Sequence, residues 1–174
     1  MQVIHNFDIS PIQYYKNGQD NNFPLIERCP FCSDLMIKNG FYQRFIITFS
    51  GKSYLLFIRR YRCQHCNHTV SILPSFLLPY FQRCLKSIFL CLETYFFNNN
   101  YILKHRQVHF YIKRFKDNIS GLISFFREKS DSFFTFGKKI NKKAIKLIEM
   151  IKSFPTHTFS QRYHNHFNKD FMAL

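Results

Sequence analysis

Four cysteines in two Cys-x-x-Cys pairs are the residues whose types and spacing point most clearly to chemistry. Cys29 and Cys32 form the first pair, Cys63 and Cys66 form the second, and thirty residues separate the pairs. A Cys-x-x-Cys turn directs both sulfurs toward one tetrahedral site, and two such turns supply the four thiolates of a structural zinc centre. The sequence therefore predicts one structural Zn²⁺. Four thiolates leave no open coordination position, so the predicted site is not catalytic.

Other interpretations of the cysteines and their neighbours are weaker. A redox-active Cys-x-x-Cys pair is disfavoured, because neither pair lies between a strand and a helix of a βαβ unit. His65 and His68 are alternative ligands that could replace a cysteine. Cys84 and Cys91 lie seven residues apart beside an apolar helical stripe, which is typical of buried small hydrophobic residues.

The chain is strongly basic, with 25 Lys and Arg against 10 Asp and Glu and a formal net charge of +15. Residues 1–28 carry −1, residues 29–78 carry +5 and residues 79–174 carry +11. This bias favours a polyanionic partner, either nucleic acid or an anionic membrane surface, although a solvated charged surface gives the same composition.

Neither a signal peptide nor a transmembrane helix is expected. The first 28 residues lack the basic start and apolar run of a signal peptide, and no apolar span is long enough for a transmembrane helix. We therefore expect a cytoplasmic protein without a membrane partner, nucleoid-associated if it binds DNA. In that compartment cysteines are thiols or metal ligands and not disulfides.

Short strands are predicted around the cysteines. Residues 41–49 and 53–62 are rich in aromatic and β-branched side chains, and the Ser50-Gly51-Lys52 turn between them predicts a β-hairpin. A third strand is predicted at residues 69–73. Because zinc would join the two cysteine turns, we predict a three-stranded zinc ribbon over residues 29–78.

Helical patterns dominate the second half of the chain. Apolar residues recur with helical spacing at residues 80–97, 104–128 and 136–151, which predicts a basic, mainly helical region over residues 79–154. The fold class is therefore α+β. Residues 1–28, an irregular arm, and residues 155–174, a C-terminal tail, have no clear period.

Short motifs in and around the cysteine pairs match those of a known family. They are Cys29-Pro30-x-Cys32, Gly40-x-Tyr42-x-Arg44, Ile58-Arg59-Arg60-Tyr61-Arg62-Cys63-x-x-Cys66, Thr69-Val70-Ser71 and Leu73-Pro74-x-Phe76-Leu77-Leu78-Pro79-Tyr80. On these motifs the chain resembles the N-terminal zinc-ribbon and helix-turn-helix region of bacterial insertion-sequence transposases, and the short stand-alone proteins that share it. The likeness is close over residues 29–82 and weaker to about residue 128. It implies a module that binds DNA ends.

Duplex DNA binding is the function that these features favour. The helices predicted at 80–97 and 104–128 would form a helix-turn-helix-like pair, with the second helix in the major groove. Basic residues elsewhere would contact phosphates. The candidate nucleic-acid-binding residues are Arg59, Arg60, Arg62, Arg106, Gln107, His109, Lys113, Arg114, Lys138, Lys139, Lys142 and Lys143.

The chain departs from full-length transposases in one respect that bears on activity. Those enzymes continue into a ribonuclease H-like domain with three metal-binding carboxylates, whereas the ten acidic residues here are scattered. We therefore predict no enzymatic activity.

Alternatives to duplex binding remain open, as does the choice between a dedicated binding protein and a truncated transposase remnant. One is binding of single-stranded nucleic acid or RNA by the aromatic hairpin, although most of its rings are expected in the ribbon's core. The other is a zinc-scaffolded protein-interaction module whose partner is a second copy or a mobile-element protein.

Overall fold

The structure is a computed structural model that describes residues 1–128 and 135–173, apart from the side chains of residues 156 and 157. It divides into two compact units, Met1–Cys84 and Leu85–Leu174. The first holds a β-sheet and the second is helical, so the predicted α+β class is confirmed. Residues 129–134, inside the predicted basic helical region, lie outside the described residues.

The first unit contains a four-stranded mixed sheet in the order β1-β4-β3-β2. Its strands are β1 (Gln2–His5), β2 (Met36–Ile47), β3 (Ser53–Cys63) and β4 (Thr69–Pro74). β1 runs parallel to β4, and the other neighbours are antiparallel. The prediction of three strands is therefore wrong. The additional strand, β1, has only four residues, too few to show a period, and its pairing partner β4 is distant in sequence.

Residues 1–28, expected to be irregular, contain β1 and a helix, α1 (Pro11–Asn17), followed by a 3₁₀ helix, Gly18–Asp20. The ends of α1 have standard signals: the Ser10 side chain accepts a hydrogen bond from the Gln13 amide, and Gly18 ends the helix with a φ of 57°. The Tyr14 side chain is fully buried and its hydroxyl donates to the Phe57 carbonyl. This contact anchors α1 against β3.

The hairpin predicted at 41–49 and 53–62 is present as β2 and β3, and Gly51 takes the left-handed conformation in its turn, with a φ of 79°. Both faces of β3 are buried, at different ends. Leu56 and Ile58 lie in one hydrophobic cluster near the turn, while Tyr61 and Cys63 lie in a second cluster at the opposite end. The cysteine turns therefore emerge from a packed part of the sheet.

The described residues of the second unit form five helices: α2 (Leu85–Asn98), α3 (His105–Asp117), α4 (Ile119–Glu128), α5 (Ile140–Lys152) and α6 (Thr156–Phe167). Predicted helices 80–97 and 136–151 begin later than expected. At the predicted start of the first of these, Tyr80 has a φ of 67°, which a right-handed helix does not accommodate.

The single helix predicted at 104–128 is two helices. The break falls at Asn118, whose side-chain amide donates to the carbonyls of Arg114 and Ala173. The side chain thereby satisfies backbone carbonyls from two segments at the break, a tertiary contact that periodicity does not reveal.

Aromatic side chains of α4 and α6 form much of the core of the second unit. The Phe126 and Phe159 rings stack with centroids 5.8 Å apart, and Phe125 meets the edge of Phe159 at 5.6 Å. Phe159, Tyr163 and Phe171 are buried. The segment expected to be a tail without a period thus contains α6 and supplies core residues.

Gly121 in α4 lies against α6, because a Cβ added to it would be 2.6 Å from the Tyr163 hydroxyl oxygen. Alanine has the higher helix propensity, by about 1 kcal/mol. Tyr163 is fully buried and has little room to move, so we expect Gly121→Ala to destabilise the protein by about 1–3 kcal/mol, as overpacking does. Urea denaturation measures this.

The matched control is Gly137→Ala, where the added Cβ would meet the Lys142 side chain at 3.6 Å, an ordinary contact. Its free energy of unfolding should change by less than about 0.5 kcal/mol. Equal stability of the two alanine variants would show that Tyr163 does not restrict position 121.

None of the described helices combines the length and the apolar character that crossing a membrane requires.

Candidate metal centre

The four predicted cysteine ligands come together at one end of the β2–β3 hairpin. Their sulfurs all lie within 4.8 Å of one another. Sγ–Sγ distances are 3.5 Å for Cys29 and Cys66, 3.4 Å for Cys32 and Cys63, and 3.4 Å for Cys32 and Cys66. Disulfide bonds, at about 2.05 Å, are much shorter. Four cysteine sulfurs placed in this way could hold a metal ion.

Two cysteine turns of the same backbone form build the site. The amide of Cys29 donates to the carbonyl of Asp34 at 2.8 Å, and at the equivalent place the amide of Cys63 donates to the carbonyl of His68 at 2.9 Å. The residue after each second cysteine is left-handed, with φ of 62° at Ser33 and 60° at Asn67. The two turns are therefore structural equivalents, although the sequences Cys-Pro-Phe-Cys-Ser and Cys-Gln-His-Cys-Asn share only the cysteines.

Backbone amides point at the sulfurs of the first cysteine in each turn. Burial raises the pKa of the Cys29 thiol, but the Phe31 and Cys32 amides donate to its sulfur and the net pKa is lowered to about 7. Burial likewise raises the pKa of Cys63, and the amides of Cys66 and His65 outweigh it, so that pKa is also lowered. These turns stabilise thiolates, the form that binds metal.

The second cysteines behave in the opposite way. The amide of His68 lowers the pKa of Cys66, but burial and the three neighbouring cysteine side chains raise it more strongly, to about 12. The pKa of Cys32 is also raised. Four negative charges within 4.8 Å repel one another, so all four thiols ionise together only with a cation among them.

The four cysteines of the cluster differ in their exposure to solvent. Cys29 and Cys63 are buried, whereas Cys32 is exposed and Cys66 is intermediate. Across the two turns the Phe31 ring stacks on the His68 ring, with centroids 4.3 Å apart. The first cysteines thus fix the site in the sheet while the second ones lie near the surface.

The histidine alternatives are not part of this cluster. Of the described His, Cys, Asp and Glu side chains, only the four cysteines form such a group, and His65 and His68 are exposed outside it. Cys84 and Cys91 are buried, as predicted, and are not members of the cluster.

The three arginines of β3 do not lie on one face of the strand. Side chains alternate along a strand, so Arg60 and Arg62 share a face while Arg59 points to the other. The Arg59 guanidinium lies 4.6 Å from the centroid of the Phe41 ring, and Arg62 donates to the Asn67 side chain at 3.0 Å. Only Arg62 among the three is exposed.

Helix α3 carries five of the candidate nucleic-acid-binding residues, and they differ in availability. Arg106, His109 and Lys113 are exposed. The Gln107 side chain donates to the Tyr111 hydroxyl at 3.1 Å, and the Arg114 guanidinium lies over the Phe110 ring at 5.2 Å. The opposite side of α3 is buried through Val108, Tyr111, Ile112 and Phe115.

His105, which is not among the predicted binding residues, lies on the same helix. The exposed His105 imidazole contacts His109 across one turn. A pair of histidines at positions i and i+4 of a predicted helix was the signal that could have identified it.

The lysine candidates near α5 gather at its beginning. Lys138 and Lys139 immediately precede the helix and are exposed, Lys142 is exposed in the first turn, and Lys143 is half-buried. No acidic residue occupies that first turn.

The aromatic residues of the hairpin are mostly committed to packing. Tyr61 is buried, and Tyr42 and Tyr54 pack against the hydrophobic cluster around Leu56. Phe45 and Phe49 are the most exposed of these rings, with 45% and 51% of each residue exposed.

Comparisons with known proteins match the part of the chain that holds the cysteines. No curated protein and no solved structure matches the chain. Residues 29–99 are similar to the family described as Domain of unknown function (DUF6431). The matched segment contains all four cysteines, the β2–β3 hairpin, β4 and α2, so the metal centre and three of the four strands of the sheet lie within the region similar to that family, while β1 lies outside it.

Proposed function

We propose that this protein binds duplex DNA with a structural zinc ion at its cysteine centre, in the manner of the DNA-binding part of a transposase and without catalysing strand cleavage. The exposed basic side of α3, opposite a fully packed side, is the observation that carries the proposal. Residues 85–174 contain sixteen Lys and Arg against six Asp and Glu, a net charge of +10.

Zinc is the metal that best suits the centre. Four sulfurs at Zn–S distances of about 2.3 Å form a tetrahedron whose edges are about 3.8 Å. Three of the six Sγ–Sγ distances, at 3.4 and 3.5 Å, are close to this value, and the other three are no longer than 4.8 Å. A four-thiolate site is closed to water and substrate, which supports a structural role.

Helix α3 offers side chains suited to the DNA surface. Arg106 and Lys113 lie seven residues apart, about two turns or 10.5 Å along the axis, and so share a side of the helix. Arginine can bond bidentately to guanine or to phosphate, and lysine pairs with phosphate as a point charge. Both side chains are exposed, and the buried side chains on the opposite side of α3 pack the helix against the core of its unit.

The beginning of α5 supports a second contact with the DNA backbone. Lys138, Lys139 and Lys142 lie where the helix dipole is positive and where unpaired amide groups project. Cations at this end of a helix are unfavourable for stability. Both the charges and the amides attract phosphate, and a bound phosphate relieves the repulsion.

Titrations of the zinc-loaded protein with a labelled duplex, a single strand and an RNA of equal length, across a salt series, test the proposal. We expect the duplex to bind most tightly. Contacts with five phosphates would give a slope of about −4.5 for log K against log salt concentration. Absence of duplex binding at low salt would overturn the proposal.

A second candidate function, binding of single-stranded nucleic acid, is favoured by one observation. Phe45 and Phe49 are exposed on the hairpin and could stack on bases. Tighter binding of the single strand than of the duplex at equal salt would select this function. Oligomers that persist in high salt without nucleic-acid binding would instead identify a protein-interaction module that pairs with itself or with a mobile-element protein.

A further inference from the structure

Two imidazoles lie together on the first turns of α3, far along the chain from the cysteine centre. The Nε2 atoms of His105 and His109 are 2.9 Å apart and the ring centroids are 4.1 Å apart. Both side chains are exposed. Histidines at i and i+4 project from one side of a helix, the spacing by which helical metal sites present two nitrogen ligands.

Neighbouring aromatic rings restrict the two imidazoles. The Tyr101 ring lies 4.8 Å from the His105 ring and 5.9 Å from the His109 ring, centroid to centroid, and the Tyr101 hydroxyl is 3.4 Å from the His109 Nε2. The Tyr95 ring approaches His109 at 6.2 Å. Because the imidazoles are held in place before any ligand arrives, little side-chain entropy is lost when both bind one ion.

The two nitrogens are close enough for one ion to bind both. Metal–nitrogen bonds of about 2.05 Å that subtend 90° place the nitrogens about 2.9 Å apart, whereas a tetrahedral angle places them about 3.3 Å apart. The observed 2.9 Å is a hydrogen bond between the two rings, which an ion bound to both nitrogens would replace, and the same separation fits the right angle of square-planar and octahedral ions. Imidazole ligands in such geometries suit Ni²⁺ and Cu²⁺.

We propose that His105 and His109 form a second metal site, distinct from the cysteine centre, that binds a divalent ion of the Ni²⁺ or Cu²⁺ class. Water completes the coordination. Lys104 and Arg106 adjoin the histidines in the chain and the positive end of α3 is close, so the site binds more weakly than the four-thiolate centre. Its location on α3 does not depend on whether the helix binds DNA.

Calorimetric titration of the zinc-loaded protein with Ni²⁺ at pH 7.5 tests the site. Nickel is chosen over copper because copper reacts with thiols. We expect one Ni²⁺ per chain, with no zinc released into a chromogenic chelator. His105→Ala and His109→Ala, made separately, should each weaken Ni²⁺ binding at least tenfold, because a single exposed imidazole does not chelate.

The matched control is His65→Ala, which removes an exposed histidine from the other unit and should leave Ni²⁺ affinity unchanged. Circular dichroism establishes that each variant keeps its helices. Three results would overturn the proposal: no Ni²⁺ binding by the original protein, unchanged affinity in both α3 variants, or release of one zinc per nickel bound. The last would place nickel at the cysteines.

Discussion

Cys29→Ser is expected to abolish stoichiometric zinc binding and to unfold much of the Met1–Cys84 unit. Cys29 is buried, receives two backbone amides and belongs to the hydrophobic cluster with Met36 and Tyr61. Structural zinc sites contribute about 10–16 kcal/mol of binding free energy at neutral pH, and that energy is largely folding free energy. Whole domains are stable by only about 5–15 kcal/mol. Loss of one ligand therefore removes an energy comparable to the stability of the unit.

Metal content per chain and near-ultraviolet circular dichroism measure the two parts of this result. The control is Cys91→Ala, which removes a cysteine that is buried in the other unit and lies outside the metal cluster. It should keep one zinc per chain, even if the small cavity lowers its stability. A strong chelator added to the unaltered protein should reproduce the loss of signal seen with Cys29→Ser, and zinc should restore it.

A Cys29→Ser protein that retains both one zinc and the spectrum of the unaltered chain would contradict the assignment of the centre. Loss of zinc with full retention of the fold would be a different result. It would show that the sheet, with Leu56 and Ile58 on one face and Tyr14 packed nearby, is stable without the ion.

The part of the fold that sequence could predict is the part governed by local pattern. Two Cys-x-x-Cys pairs, an alternating hairpin and a Gly51 turn specify a compact local unit, and all are present in the structure. β1 and α1 escaped detection for different reasons. β1 depends on pairing with a strand some seventy residues away, whereas the Ser10-Pro11 start and Gly18 end of α1 were visible in the sequence but enclose only seven residues.

In the helical unit, periodicity identified the apolar stripes but not the helix boundaries. The break at Asn118 is fixed by a side-chain amide that reaches Ala173, fifty-five residues on. α6 is marked by Phe159 and Tyr163 at i and i+4, a short stripe that polar histidines on the other faces obscure. Such long-range contacts decide where helices end, and single-sequence patterns do not contain them.

The candidate nucleic-acid surface likewise depends on tertiary contacts. Composition shows which residues are basic, and the structure shows which of their side chains are exposed. Arg59 lies over an aromatic ring on one face of β3, and Arg62 on the other face bonds to Asn67. On α3, Arg106 and Lys113 are exposed. These basic residues carry the same charge, and it is their contacts and exposure that determine which of them could reach DNA.

The double variant Arg106→Ala, Lys113→Ala is expected to weaken duplex binding by at least tenfold at low salt and to reduce the salt slope by about 2. Each lost phosphate contact lowers that slope by about 1. Fluorescence anisotropy with one labelled duplex across a salt series measures both quantities. Because both side chains are exposed, the helix should remain folded, and thermal unfolding checks this.

The control for net charge is the double variant Lys16→Ala, Lys169→Ala. It removes the same two charges from exposed positions on α1 and after α6. If α3 contacts the phosphates, this control should keep nearly the full affinity and slope. Equal losses in the two double variants would instead show that DNA responds to the overall charge of +15 and that α3 has no special part in binding. A retained slope with lowered affinity would indicate that neither Arg106 nor Lys113 contacts a phosphate and that the lost contact is to a base, because base contacts release no counterions.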